Sequence, residues 1–508
     1  MSACPTYKID SNDTGLRFAV EKCLKELPTL AVDGADPIWH PLEPNSYGDM
    51  GASVTTVARN PINPSRQRQK GVVTDLEASA SFQMDLTGRN HLYMMQSYNF
   101  ALAREKPTTG PLNVAPVLVT AVTALSGYAM NDSFASQVAV GDMLMAEGFS
   151  VLANNGVKVV TAVTAGEVLA AGLADEPAPP ATAKLTVVGV QGTSADLNIT
   201  VGGGETRLTA TSLNFTSLGL IAGEWIYIGG DAANTSFANN QGFARVDAIA
   251  AGSLLLGKTS WTPAAETGTG KTIQVFFGTV IRNEEDPDDI VRSPLQFERT
   301  LGSDADGTMS QYIIGSIANE FTLNVPQADK VTAEMGFVAC DAVARPGATG
   351  LKPGTRPPLV QSDAFNTSSD VRRLAFSIVG EADPLFLYAT DLTITITNNA
   401  SGAKAIGVLG NFDINIGVFD VGGSVTAYFQ DVRAVNAVRD NADVSMDLIL
   451  VKNNMGIVWD IPLMALGNGM VAVEQDQAIT VPLDTMAAQS SFGHTLMYVN
   501  FPYLPNAA

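Results

Sequence analysis

Residues 391–398 read DLTITITN. Leu392, Ile394 and Ile396 fall on one side of an extended chain, and Thr393, Thr395 and Thr397 on the other. A strict period of two built from β-branched residues predicts a half-buried strand, apolar inward and hydroxyl-rich outward. Working outward, residues 411–419 (NFDINIGVF) repeat the alternation, with Phe412, Ile414, Ile416 and Val418 expected inward. Residues 444–451 (VSMDLILV) and 321–325 supply further strands. Helical spacing is rare. Residues 16–27 set Leu16, Val20, Cys23, Leu24 and Leu27 on one stripe behind a cap at Asp13 or Thr14. On that stripe Cys23 reads as a core residue. Residues 90–103 (NHLYMMQSYNFALA) are the second helix candidate. The expected fold class is mainly β with a few flanking helices.

The chain has 508 residues, and a length-based prior of about 150 residues per domain suggests roughly three domains. Lys and Arg number 30 and Asp and Glu 51, so the net charge is −21. Only 16% of residues are charged, against about 25% in a typical chain. An apolar share of 46% supports several cores and excludes a disordered chain. A pI near 4.5 disfavours a protein that grips DNA by neutralising phosphates, because that mode needs a basic face. It does not disfavour a protein that must keep DNA from sticking. The three cysteines, Cys4, Cys23 and Cys340, form no CxxC pair, which points to reduced thiols in a cytosolic setting. The N-terminus shows no apolar signal segment, and no run of 18 apolar residues suggests a spanning helix.

Residues 107–280 differ in texture, being rich in Ala, Gly, Thr and Val, with a proline-rich break at 176–181 (EPAPPA). They contain an internal repeat. GDML at 141–144, ANNG at 153–156 and VTAVTAGEVL at 160–169 answer to GEWI at 223–226, ANNQG at 238–242 and VDAIAAGSLL at 246–255. Matched order and spacing predict a tandem pair of small β-domains with an Asn/Gly turn in each.

Motifs that could carry chemistry are weak. Residues 265–272 (AETGTGKT) resemble a phosphate loop through Gly270, Lys271 and Thr272. That chemistry needs a helix after the loop, yet residues 272–277 (TIQVFF) alternate like a strand, so a hairpin turn is expected. Asp304-Ala305-Asp306-Gly307 begins like a calcium loop but lacks its later ligands. His40, His91 and His494 are far apart, with no HExxH spacing and no GxSxG elbow. No catalytic residue, metal or cofactor is expected. Two charge clusters stand out. Arg59, Arg66, Arg68 and Lys70 share an acid-free stretch broken by Pro61 and Pro64, which reads as a protruding loop between strands. Glu284, Glu285, Asp286, Asp288 and Asp289 crowd into six positions. Each cluster fits an ordinary solvated loop, or a pair of complementary contacts between copies of the chain.

The runs at 39–48 (WHPLEPNSYG), 59–68 (RNPINPSRQR) and 78–86 (ASASFQMDL) resemble the N-terminal part of major tail tube proteins of long-tailed, non-contractile (siphovirus-type) phages. Residues 410–426 and 461–473 fit that family less specifically, and the likeness spans 39–103 and 280–504. It implies a tail-tube-type β-sandwich or barrel whose copies close into stacked rings around a DNA channel, with a long loop reaching the next ring. Arg59, Arg66, Arg68 and Lys70 would then form the inter-ring contact, and the acidic cluster an inter-subunit one. DNA would be transient cargo without sequence recognition, and other tail proteins would meet the tube ends. The subunit would be assembled in the host cytoplasm and reside in the virion tail, with no membrane insertion. The length exceeds one tube domain. The expected division is 1–106 and 281–363 for a first tube domain, 107–200 and 201–280 for the inserted repeats, and 364–508 for a second tube-like domain. Two such domains per chain favour a trimeric ring with pseudo-six-fold symmetry over a hexamer. The competing readings are a β-rich adhesin or virion decoration protein, and a nucleotide enzyme resting on Lys271.

Overall fold

The structure is a computed structural model that describes residues 8–508 apart from 63, 65, 66, 115, 126, 131–133, 382 and 507. It is built almost wholly of antiparallel strands in a 16-stranded and a 13-stranded sheet. Eight strands of the larger sheet matter most: Pro44–Arg59 (β1), Gln69–Asp85 (β2), Thr308–Pro326 (β3), Thr332–Ala339 (β4), Ala389–Thr397 (β5), Asp420–Tyr428 (β6), Met455–Asn468 (β7) and Thr480–Ala487 (β8). They lie side by side in the order β1-β2-β4-β3-β5-β6-β8-β7. One plan is used twice. A hairpin (β1-β2, then β5-β6) is followed by a short helix (Leu92–Asn99, then Arg433–Arg439) and a returning pair (β3-β4, then β7-β8). In both copies the fourth strand pairs with the second. β1–β4 come from 1–106 and 281–363, and β5–β8 from 364–508.

The alternation read at 391–398 is the rule across this run. Phe82, Met335, Phe321, Ile394, Val425 and Leu483 are buried in one core. Both helices cover that side, through Met94, Met95 and Tyr98 and through Ala434 and Ala437. Behind the core lies an outer layer containing Val444–Lys452, Met497–Phe501 and the first half of β7. Trp459 and Tyr498 of that layer point into the core, while Ile449, Val458 and Val499 point away from it.

Those outward residues seat the 13-stranded sheet through Met143, Val188, Trp225, Tyr227, Phe243 and Phe276. The inserted region is therefore a third layer, on the far side of the body from the open face of β1–β8. Its two halves share one sheet and one apolar cluster, so the repeats are not separate bodies. They meet where Lys184–Gln191 pairs with Gln274–Phe276, and Gln274 Nε2 donates to Gln191 Oε1 across that seam at 2.8 Å. The second half opens with Asn198–Gly202, a strand that a boundary at 200 would cut. The repeated Asn has a physical role. Asn154 donates to Glu176 and Asn240 to Glu266, each at 2.9 Å, and each glutamate also accepts from two backbone N–H groups of the neighbouring turn.

Two expectations fail. Residues 16–27 are not a helix: Thr14–Val20 is a strand paired with Leu295–Ser303, and it buries Leu16 and Phe18 at period two. Lys25 takes a positive φ of 72°, and Cys23 is exposed, not part of the core. Within 411–419 only Asp413–Asn415 is a strand. Ile414 is buried, but Phe412 and Val418 face solvent, because this connection folds over the end of the sheet instead of joining it. The second helix candidate holds over Leu92–Asn99.

The seam between insert and body carries buried charge. Lys258 Nζ lies 2.7 Å from Asp447, which also bonds the Arg373 guanidinium, and Arg245 approaches the buried Asp460 at 3.9 Å. Asp447→Ala strands two cations in a dry seam and is expected to cost about 3–5 kcal/mol, read by urea unfolding. Glu176→Ala, which frees two backbone donors and Asn154, is expected to cost about 1–3 kcal/mol in the same assay.

Candidate functional site

The side chains of β1–β8 that point away from the core form one open polar face. Its rows follow from the pairing register. Gln83, Glu334, Thr322, Thr395, Gly422 and Met486 are successive partners across six strands. The next row runs Asp85, Thr332, Asn324, Thr393, Ser424 and Asp484. Hydroxyls, amides and carboxylates dominate. Across all eight strands the basic residues are Arg59 and Lys70, both at the distal end of the β1-β2 hairpin. The acids are Asp49, Asp75, Glu77, Asp85, Glu320, Glu334, Asp391, Asp420, Asp460 and Asp484; of these only Asp460 belongs to the outer layer. Lys404 reaches Asp75 and Glu77, and Lys330 reaches Asp85, both from connecting loops. The strands themselves bring no cation to the face below the hairpin tip, and the two loop lysines that reach it are held in ion pairs with its acids, so it offers little free positive charge to a phosphate.

Both ends of the run expose apolar side chains. At the end where β1 and β5 finish stand Val54, Val57, Ile62, Val72 and Val73 of the long hairpin, with Ile406, Leu409 and Val418 of the β5–β6 connection. At the other end stand Leu387, Tyr388, Val432, Met470 and Val473. Among the described residues, the first edge, β1, pairs with β2 alone.

The basic cluster lies at the tip of the β1-β2 hairpin. Strand pairing reaches Arg59 opposite Gln69, so the loop is shorter than the prolines suggested. Arg59, Arg68 and Lys70 are exposed, and Arg66 lies outside the described residues. The acidic cluster divides. Glu284 turns inward to Arg104 at 2.6 Å and Arg282 at 3.3 Å, while Glu285, Asp286, Asp288 and Asp289 are exposed around a turn that the Asp286 side chain caps.

The remaining motifs resolve into structure. Gly270 takes a left-handed turn, Lys271 pairs with Glu266 at 3.5 Å, and the chain continues into the strand Gln274–Phe276, so no helix follows the loop. Asp304 accepts from the backbone of Asp306, Gly307 and Gly347, and this lowers its pKa. The histidines stay apart. Burial pushes His40 down to about 4 and His91 and His494 to about 3, so each is neutral at physiological pH. Burial raises the Cys340 thiol to about 11; Cys4 lies outside the described residues. Among the described residues no group of three or more His, Cys, Asp or Glu is placed to hold a metal ion, and no helix is long and apolar enough to cross a membrane.

The sequence profile of the phage tail tube protein family matches residues 218–487, which is more than half of the chain. The chain belongs to that family. The match lies outside the N-terminal runs that first suggested it, and takes in β3–β8 instead. A search of curated proteins found no match. The protein is thus a structural component of a phage tail. Lys271→Ala is expected to leave an ATP titration as flat as in the parent protein and to shift the melting temperature little, since the lost ion pair is worth at most about 1 kcal/mol.

Proposed function

We propose that this chain is the major tube subunit of a siphovirus-type tail, closing into stacked rings whose inner wall is the polar face of β1–β8. The observation that carries this reading is that β1–β8 contribute no Lys or Arg to that face below the hairpin tip and the two loop lysines that reach it are paired with its acids, on a sheet with apolar backing and an edge strand that pairs on one side. DNA passing such a wall meets hydroxyls and carboxylates, which hydrate it and repel it, so the duplex slides without being held. The division into two tube domains and a two-part insert follows the repeated strand plan. The insert, on the far side of the body, faces outward, where it is free to act as surface decoration.

Ring size follows from strand count. Strands ~4.8 Å apart and tilted ~40° add about 6.3 Å each to a barrel's circumference. With about 10 Å removed for side chains, two chains of eight strands leave a lumen of ~22 Å and three leave ~38 Å. A duplex carrying its counterion atmosphere requires the larger. Rings then stack head to tail, the apolar hairpin tip and β5–β6 connection of one against the apolar opposite end of the next, a heterologous contact that propagates as a filament. Arg59, Arg66, Arg68 and Lys70 supply the inter-ring contact at the hairpin tip, and Glu285, Asp286, Asp288 and Asp289 an inter-subunit one, while Glu284 serves its own chain. Other tail proteins cap the two ends, and assembly takes place in the host cytoplasm.

Negative-stain microscopy of the purified protein is expected to show rings or tubes with a central channel. Persistent monomers at high concentration would overturn the reading. Ile62→Asp is expected to leave rings but shorten or abolish tubes. Thr393→Lys with Thr395→Lys is expected to permit tubes but slow DNA release from assembled particles by ten-fold or more; unchanged release kinetics would remove the wall from this face.

A further inference from the structure

Two acids stand opposite each other in the seam between insert and body. Asp447, in Val444–Lys452, is the direct cross-strand partner of Asp460 in β7, and both are fully buried. Alternation puts them with Ile449 and Val458, on the side turned to the insert. Like charges directly opposite repel, and in a dry seam this favours a proton on one of the two. Their partners decide which. Asp447 is held at both oxygens: Lys258 Nζ, from the insert strand Ser253–Thr259, donates to Oδ1 at 2.7 Å, and Arg373 Nε donates to Oδ2. Neither Asp460 oxygen has a hydrogen-bond partner among the described residues, and the Arg245 guanidinium stands off at 3.9 Å. Burial raises the Asp460 pKa; Arg245 and Lys258 oppose the rise, and Asp447 adds to it. A buried carboxyl without a bond of its own is costly as mere structure. This one stands beside an amine and a carboxylate already in contact.

We propose that Lys258 and Asp447 condense into an isopeptide bond, with the Asp460 carboxyl relaying a proton, so that the insert is covalently fastened to the body. The ion pair is the reactant state. Lys258 passes one proton to Asp447 Oδ1, and the free amine attacks Cγ as the carbonyl electron pair moves onto Oδ2, where Arg373 holds the oxyanion. Asp460 gives its proton to Oδ1 and recovers one from Nζ. The Cγ–Oδ1 bond breaks, Oδ1 departs as water, and the carbonyl re-forms at Oδ2. The three hydrogens of the ammonium end as one amide N–H and two in water, so no other reactant is needed. Two physical terms favour the step. A buried ion pair carries a desolvation penalty that a neutral amide avoids. Groups held in contact by packed sheets also react at an effective concentration far above any reached in solution. Arg373 strengthens that hold, because its Nη1 donates to the carbonyl of Thr259, next to Lys258, at 3.4 Å. The bond closes a loop spanning 189 residues, and linking so long a loop withdraws entropy from the unfolded chain.

The test is the intact mass of the full purified chain, followed by peptide mapping. The parent is expected to weigh one water less than its sequence gives and to yield a branched peptide joining Lys258 to Asp447. Lys258→Arg keeps the ion pair but lacks the primary amine, and is expected to show the full mass and no branched peptide. Asp460→Asn, read on protein with the parental circular dichroism, is expected to lower the linked fraction by about ten-fold or more, and Asp460→Glu to recover part of it. A parent chain of full mass would overturn the proposal. A missing water that persists in Lys258→Arg, or that maps to a succinimide, would overturn it as well. Parental linkage in Asp460→Asn would overturn the relay assigned to Asp460.

Discussion

Successive residues of an antiparallel strand turn their backbone polar groups to alternate flanks, so both flanks need partners, and the structure is organised by where that requirement is left open. Within the chain, β1 to β7 satisfy one another in an unbroken run, and even the joint between the two strand units is an ordinary ladder, β3 against β5. Among the described residues no strand pairs with the outer side of β1, where Arg299 donates to the Met50 carbonyl, or with the free flank of the last residues of β7.

The same strands separate two duties by alternation alone. Phe321, Ile394 and Val425 fill a core covered by the helices and the outer layer. Thr322, Thr393 and Ser424, one residue away, form a surface without cations. A shift of one residue in any pairing would exchange these duties, so register is under strong physical constraint.

The insert obeys a different logic. Its halves are held by duplicated Asn–Glu contacts and fused through one seam, and it is fixed to the body by apolar residues around Asp447, Lys258 and Arg373. Buried ion pairs add little net stability, but each is costly to break, so they set the orientation of the third layer. That layer leaves the polar face clear.

The sequence alone determined the β class, the apolar and polar sides of residues 391–398, the repeat at 141–169 and 223–255, the helix near 92–99 and the absence of phosphate-loop context around Lys271. Each depends on local periodicity or on turn chemistry, which neighbours in the chain encode. Tertiary structure alone decided the rest. The apolar stripe at 16–27 fits helix or strand equally until Leu295–Ser303 pairs with it. Phe412 and Val418 alternate correctly yet face outward, since no strand arrives to cover them. A net charge of −21 says nothing about placement; only the pairing of strands far apart in sequence gathers Asp85, Glu334 and Asp484 on one face. Faces are written in the local sequence, whereas neighbours, edges and the shared polar face depend on contacts hundreds of residues apart.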